Sequence, residues 1–485
     1  MASAEKRGEF WRARFIQADG SKGNAIRGDD GRRFTTKTAA LKYAEAQEAD
    51  IRRDMWRDPK SGDITLGEWM RRWLPAQHLE ETTISGYRWH IQVHIGPDLG
   101  NLPLRLLDAL AINAWELSLH RHWSVSSAAS ARTLLHTMLS DAVGAGLLKA
   151  NPAVRQRNRG KKSGRTKTRG AKRVWATPLE VLLLGERLSL LSGRPDELIH
   201  ALTLAYTGMR WAELWGLQCR YFLLSSIQVE WQVYEHNGQW RKKPPKDDSN
   251  RSIVIPPFLS DLLSRQMQGG SGQCNCSGPR GCGGGRYMFL TEDGGHERRS
   301  NYARRRFRPA ADGWHPGSED RPGYPVLADV ADAPWPGVVR RSWPAAEAGV
   351  EFAPPRRRGF WRYDIEQHHL VSWLPVKRGL TPHGERHGHK VWLDELGVPL
   401  VATEERLGHE LPGIVGTYSH TSPAMLKQIT DGLQKLWEES LVERAKIGDG
   451  RSPVPLLDEL LEPARKIVSE DRPHFVPKPV SAIYG

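Results

Sequence analysis

Cysteine is scarce in this chain: four in 485 residues, three of them packed between Cys274 and Cys282. So few thiols exclude a disulfide framework and fit a reducing compartment. Long apolar runs are missing as well. No stretch of about 18 apolar residues occurs, which argues against a membrane span and a membrane partner. Met1–Arg7 lacks the apolar core of a secretory leader, so cytoplasmic residence is expected. Hydrophobic residues make up only 39% of the chain. That is thin for one large globule but enough for several small cores, and the length suggests two to four domains. Acids are in deficit, 56 against 70 Lys and Arg, for a formal net charge of +14. Such a balance favours a polyanionic partner, nucleic acid first. The deficit is sharpest from Arg155 to Arg173, where ten basic residues meet no acid. Lys161, Lys162, Arg165 and Lys167 sit there among Gly, Ser and Thr with no apolar period. This is the composition of a flexible linker that can track phosphates.

The organisation expected is multidomain α+β. In residues 1–60, Trp11, Ala13 and Phe15 alternate with Arg12 and Arg14, the pattern of a half-buried strand with two outward arginines. Turn signals at Asp19-Gly20 and Asp29-Asp30-Gly31, then Arg33-Phe34, predict a three-stranded sheet whose basic face can lie in a DNA groove. Thr36 caps a helix from Lys37 to about Met55. Residues 64–154 read as four helices, opened by the capping box Thr65–Glu68. The basic linker spans 155–174. A third, mainly helical domain with a small antiparallel sheet spans 175–444 and starts at a second capping box, Thr177–Glu180, with Pro178 at the first helical position. Strands are expected at Ser226–Val233 and Arg251–Ile255. Pro309–Phe360 reads as an insertion or long loop. The tail, 445–485, reads as loose apart from one short helix over Leu456–Val468.

Six positions of the third domain carry chemistry. Thr207-Gly208-Met209-Arg210 breaks one helix and starts another, with Glu213 three residues on from Arg210. Lys246 sits in a polar turn beside Lys242 and Lys243. Thr381-Pro382 starts a helix that places His383 and Arg386 on one face. Leu407-Gly408 precedes His409, and glycine there can end a helix in a left-handed cap. Tyr418 follows, shortly before the cap Ser422-Pro423. Taken singly, each has an ordinary structural explanation: a salt-bridged Arg210, a solvated Lys246, surface histidines, a half-buried Tyr418.

Taken together and in this order, they resemble the tyrosine recombinase family, the three-domain integrases of phages and mobile elements. The resemblance covers nearly the whole chain. It implies an arm-type DNA-binding domain at 1–60, a helical core-binding domain at 64–154 and a catalytic domain at 175–444. It implies that the helical and catalytic domains clamp the duplex. Glu385 departs from the family, where leucine is usual, and the 309–360 insertion departs further. The resemblance also implies a monomer in solution that synapses attachment sites as a tetramer, with the tail docking on a neighbour. An accessory bending or directionality protein is a further expected partner. The expected setting is a bacterial cytoplasm, on the nucleoid when bound, in the integration or excision of a mobile or viral genome.

The chemistry agrees with the resemblance. A phosphodiester is anionic and repels nucleophiles, so cations must sit on its non-bridging oxygens. Arg210 and Arg386 can each bind them bidentately. Preorganised donors of this kind contribute most as charge develops. The Tyr418 phenol must lose its proton as it attacks. His383 is the candidate base and Lys246 the candidate acid for the leaving 5′ oxygen. His409 would bond the scissile phosphate, and Glu213 would orient Arg210 or His383. A phosphotyrosine conserves the bond energy, so neither ATP nor a catalytic metal is required. Two other readings stay open: a type IB topoisomerase-like relaxing enzyme, and a catalytically silent DNA-binding regulator. The cysteines pose a separate question. Cys274, Cys276 and Cys282 could hold a structural zinc if His296 or Cys219 completed the set. Reduced thiols in an exposed loop are the competing reading.

Overall fold

The computed structural model describes residues 2–17, 20–28, 31–52, 63–155, 173–246, 249–276, 281–315, 324–325, 375–409, 420–448 and 450–470. The chain divides into two units, Met1–Thr166 and Lys167–Gly485. Among the described residues no helix is long and apolar enough to cross a membrane.

The first unit opens with an antiparallel sheet of β1 (Ser3–Arg7), β2 (Phe10–Ile16) and β3 (Lys22–Ala25), in that order. The alternation in β2 works as expected: Ala13 and Phe15 are buried while Arg14 faces out. Thr36 caps α1 (Lys37–Arg52) by accepting from the Ala39 amide at 3.2 Å. Ala40 and Ala44 of α1 pack on Phe15 and Phe34. Two expectations change here. The third strand is not at Arg33-Phe34, which forms only isolated bridges to Arg27 and Trp11. The additional strand is β1, whose polar Ser-Ala-Glu-Lys-Arg sequence carries no apolar alternation. The exposed face is also less basic than expected. Glu5 lies opposite Arg12 in register and approaches Arg12 at 3.9 Å and Arg14 at 3.5 Å.

The same unit continues with α2 (Leu66–Trp73), α3 (Glu81–His90, running on through a π turn to Leu99), α4 (Ala109–His122) and α5 (Val125–Gly144). The Thr65–Glu68 capping box is present in both directions. Tryptophans fasten this bundle by their amphipathic character, burying the ring and bonding the indole N–H. Trp69 donates to the Met138 carbonyl at 2.9 Å, Trp73 to Asp141 at 2.6 Å and Trp115 to the His94 carbonyl at 2.9 Å.

The second unit is built around α6 (Pro178–Ser192) and α7 (Asp196–Thr207). Both helices are buried on nearly every face, as central helices of a core must be. The second capping box, Thr177–Glu180, is formed. After the short α8 (Trp211–Trp215) come β4 (Ser226–Val229), β5 (Gln232–His236), β6 (Gln239–Lys243) and β7 (Arg251–Val254). The single strand expected over Ser226–Val233 is in fact two. β4 pairs with β7, whereas β5 turns away to form a hairpin with β6. The break falls at Glu230-Trp231, where the Trp231 indole bonds the Tyr221 hydroxyl at 2.8 Å.

Further on lie α9 (Pro257–Gly269), the two-residue strands β8 (Gly272–Gln273) and β9 (Arg286–Tyr287), α10 (Arg299–Tyr302) and α11 (Arg308–Asp312). The insertion expected from Pro309 begins later than that, because Pro309, Ala310 and Ala311 are buried in the core. Most of the remaining insertion lies outside the described residues. The unit closes with α12 (Pro382–Glu395), α13 (Leu400–Leu407), α14 (Pro423–Ala445) and α15 (Pro455–Glu470). The helix expected at Leu456–Val468 is thus real, but its surroundings are not loose. Leu457, Leu461 and Ala464 enter the same core as α6 and α7. A fully buried pair sits beneath it: Arg444 donates to both Glu186 oxygens at 2.8 Å, and the Ser452 hydroxyl adds a bond at 2.6 Å.

Candidate active site

Two glycine turns place the central residues. α7 ends at Gly208, which adopts φ +66°. A Cβ there would come within 2.7 Å of the His389 ring and 2.8 Å of Leu407. Only glycine allows both this conformation and this approach. The chain then extends through Arg210, the N-cap of α8, where Glu213 accepts from the Arg210 amide at 2.8 Å. α13 ends the same way at Gly408, φ +67°, and presents His409 immediately afterwards.

Arg210 and Arg386 grip these turns from opposite sides. Arg210 donates to Glu213 at 2.7 Å, to the Ser249 hydroxyl at 3.1 Å and to the Gly408 carbonyl at 3.3 Å. Arg386, on the first turns of α12, donates to the carbonyls of Gly208 and Leu407, each at 2.5 Å, and meets His409 Nε2 at 2.9 Å. Arg386 is 5% exposed and forms no ion pair among the described residues. Burial first, and then the neighbouring Arg210, pull its guanidinium down to about 9, so it stays charged at neutral pH.

Of the supporting residues, Glu213 was legible in the sequence, whereas Arg251, Arg406, Glu404 and Lys390 were not. Glu213 is buried and also binds Arg251, at 2.8 Å. Its burial opposes ionisation, but Arg251 and Arg210 hold its carboxyl below the usual range. Glu213 therefore orients arginines and shows no bond to His383 among the described residues. Arg251 reaches on to the Arg406 carbonyl at 2.8 Å, and Arg406 bonds His389 at 2.9 Å and the Tyr206 carbonyl at 3.0 Å. Glu404 accepts from His409 Nδ1 at 2.6 Å and pairs with Lys390. Since Nε2 faces the Arg386 donor, the neutral His409 carries its proton on Nδ1, toward Glu404. Counting the cluster gives four arginines (Arg210, Arg251, Arg386, Arg406) and Lys390 against two carboxylates (Glu213, Glu404). An excess of three positive charges remains before any histidine is protonated, and it favours an anion at the open side.

His383 is exposed on the first turn of α12, capped by Thr381, which accepts from the Gly384 amide. Partial desolvation first, then Arg386, Arg173 and Arg299, hold its imidazole below the ordinary value. It is therefore neutral at neutral pH and able to accept a proton. Lys246 is exposed just past β6. Its carbonyl accepts from the Ser249 amide at 3.4 Å, and Ser249 in turn bonds Arg210, so the lysine turn is tied to the arginine cluster. The rival lysines are occupied. Lys242 lies 4.3 Å over the Trp231 ring and Lys243 4.8 Å over Tyr234, both in β6 and not in the turn. Tyr418 falls outside the described residues, as do Lys161, Lys162, Arg165 and Lys167. A cavity of about 280 Å³ lies at Gln218, Arg220, Lys242 and Gly283–Arg286. None of those residues belongs to the arginine cluster, whose open face suits a large ligand better than a small enclosed one.

Glu385 gains a significance that its sequence position did not suggest. It is 1% exposed, between His383 and Arg386, and neither carboxyl oxygen has a partner among the described residues. Burial pushes its carboxyl well above the usual range. Elsewhere, Cys274, Cys276, Cys282 and His296 bring their ligand atoms within 4.8 Å of one another. Cys219 is not among them and is buried in the main core.

No protein-family model matches the chain. No curated protein matches it either. Among solved structures, the chain is similar to the Tn1549 transposon integrase in complex with transposon right end DNA, at 16% identity and a TM-score of 0.48, covering 75% of this chain and 98% of that one. It is also similar to a lambda integrase dimer bound to a COC′ core site, at 15% identity and a TM-score of 0.40, covering 89% and 95%. A lambda integrase tetramer bound to a Holliday junction matches at 13% identity and a TM-score of 0.42, covering 85% and 98%.

Proposed function

We propose that this chain is a site-specific tyrosine recombinase that cleaves and rejoins DNA at attachment sites through a 3′-phosphotyrosyl link at Tyr418. The observation that carries the reading is the cationic cluster. Arg210 and Arg386 meet at the Leu407–Gly408 turn beside His409, with a surplus of three positive charges among the cations and carboxylates around them. A phosphodiester supplies the missing anion.

In this mechanism Arg210 and Arg386 hold the non-bridging oxygens and neutralise charge as the pentavalent state forms. The Tyr418 oxygen bonds to phosphorus, the bond from phosphorus to the 5′ oxygen breaks, and His383 takes the phenolic proton. Lys246 donates a proton to the departing 5′ oxygen. His409 bonds the scissile phosphate through Nε2 while Glu404 holds Nδ1. Attack by a free 5′ hydroxyl reverses the sequence and reseals the strand, with the bond energy conserved. Strand exchange pairs two duplex sites, which calls for four protomers on DNA. Arg12, Arg14 and the basic linker supply phosphate contacts away from the reacting centre.

Replacing Arg210 or Arg386 by lysine tests the reading. Each keeps the charge but loses the planar fork. Duplex binding should change little, while formation of the covalent protein–DNA adduct on a nicked suicide duplex should fall by about a hundredfold or more. Undiminished adduct formation in both variants would remove the arginine cluster from the chemistry.

A further inference from the structure

We propose that Cys274, Cys276, Cys282 and His296 bind one zinc ion, which cross-links the chain on either side of β9 beneath the β5–β6 hairpin.

The first support is convergence. The four donor atoms lie within 4.8 Å of one another, although the residues span 22 positions of sequence. With Zn–S near 2.3 Å and Zn–N near 2.0 Å, a tetrahedral ion separates its ligands by about 3.5–3.8 Å. The thiols now stand closer: Cys274 and Cys276 at 2.8 Å, Cys276 and Cys282 at 2.7 Å. They need open by only about 1 Å to accept the ion. Three thiolates and one imidazole are a donor set that selects zinc over the hard cations.

The second support is independent. His296 is 5% exposed, and neither ring nitrogen makes a hydrogen bond of ordinary geometry; its one polar neighbour is Cys282, itself one of the four ligands. A buried imidazole left this way carries a desolvation cost that a metal bond would offset. Its ring is held in place by Tyr287, at 4.6 Å, and Trp240, at 5.4 Å. The surroundings also resemble those of a metal-bound thiolate. The Cys276 amide points at Cys274 Sγ at 3.3 Å, and the Tyr287 hydroxyl bonds the Cys282 carbonyl at 3.0 Å.

The hydrophobic cover of the cluster indicates its purpose. Cys282, Tyr287 and Leu290 pack against Val233 of β5 and Trp240 of β6. That small core stands apart from the main one, and few apolar residues contribute to it. An ion would supply rigidity that so little burial cannot. The hairpin that packs on this core leads directly into the turn that bears Lys246. The zinc proposal stands on the four ligands alone and does not depend on the recombinase reading.

The full-length chain, purified under reducing conditions without chelator and supplied with Zn²⁺, should hold one zinc per chain by elemental analysis. Zinc should shield three of the four cysteines from alkylation and leave Cys219 to react only on unfolding. Replacement by Co²⁺ should give the intense thiolate charge-transfer bands of a tetrahedral site. C282S and H296Q should lose zinc or bind it far more weakly, whereas C219S should keep it in full. Because the alkylation and cobalt measurements use the unmodified chain, a variant that fails to fold does not blur the answer. A folded chain in which Cys274, Cys276 and Cys282 stay freely alkylated after zinc is supplied, with no bound zinc, would overturn the proposal. So would equal metal loss in C219S.

Discussion

Glu385 makes the stability of the folded chain depend on pH. Its carboxyl is buried beside the two candidate catalytic residues of α12 and has no described partner. Burial raises it well above the usual range, so the folded chain keeps it neutral. In the unfolded chain it ionises near 4.3. The sign follows from linkage. For an acid whose folded value is raised, stability is full below the unfolded value and is lost as pH rises toward the folded one. Each pH unit in that window costs about 1.4 kcal/mol. The penalty accumulates with rising pH until the folded value is reached. Glu385→Gln abolishes this slope, and Glu385→Leu also removes the buried polar atoms. The assay can be confined to the relevant unit, because all four cysteines lie in Lys167–Gly485. Urea unfolding followed by alkylation of buried Cys219 should show Glu385→Gln little different from the unmodified chain near pH 4.5. The variant should then become more stable by a margin that widens as pH rises. A difference independent of pH, or a less stable Glu385→Gln at pH 7, would mean that the carboxylate is ionised and paired, and the reasoning would fail.

Two further stability predictions concern the same unit. Glu186→Ala leaves Arg444 charged in a fully buried site and should cost about 3–5 kcal/mol, read as a lower urea midpoint by the same alkylation assay. His200 is enclosed by Trp211, Trp215, Phe289 and Tyr302. Burial, then Arg194 and Arg306, lower it to about 3. Its contribution is present above pH 6.5 and is lost as pH falls from there through about 3, so His200→Phe should flatten the acid limb of the stability curve. An unchanged acid limb would show that His200 is protonated in the folded chain.

Local signals were legible and long-range ones were not. Both capping boxes and the Thr36 and Thr381 caps work at three-residue range, and each sits where the sequence put it. The glycines at 208 and 408 were readable as helix ends for the same reason. What escaped depends on distant partners. Arg251 serves Glu213, 38 positions away, and Arg406 reaches Tyr206, 200 positions away. Nothing in their neighbouring residues announces those roles. β1 escaped because its side chains are nearly all polar, and its pairing comes from β2. The stacking of Lys242 on Trp231 and of Lys243 on Tyr234 was equally hidden, since it depends on the pairing of β5 with β6. The choice between Cys219 and His296 needed the fold, which buries Cys219 in the main core and brings His296 to the other three cysteines.

The central claim concerns Tyr418, and a suicide-substrate experiment addresses it most directly. Unmodified chain and Tyr418→Phe would each be incubated with nicked duplex carrying the element's attachment site, denatured in detergent, and any covalent adduct mapped by mass spectrometry. The account predicts that both proteins bind the duplex. Only the unmodified chain should form an adduct, through the Tyr418 oxygen to a 3′ phosphate. An adduct formed by Tyr418→Phe would contradict the assigned nucleophile. No adduct from either protein on a verified site would contradict the recombinase itself and leave a DNA-binding regulator in its place.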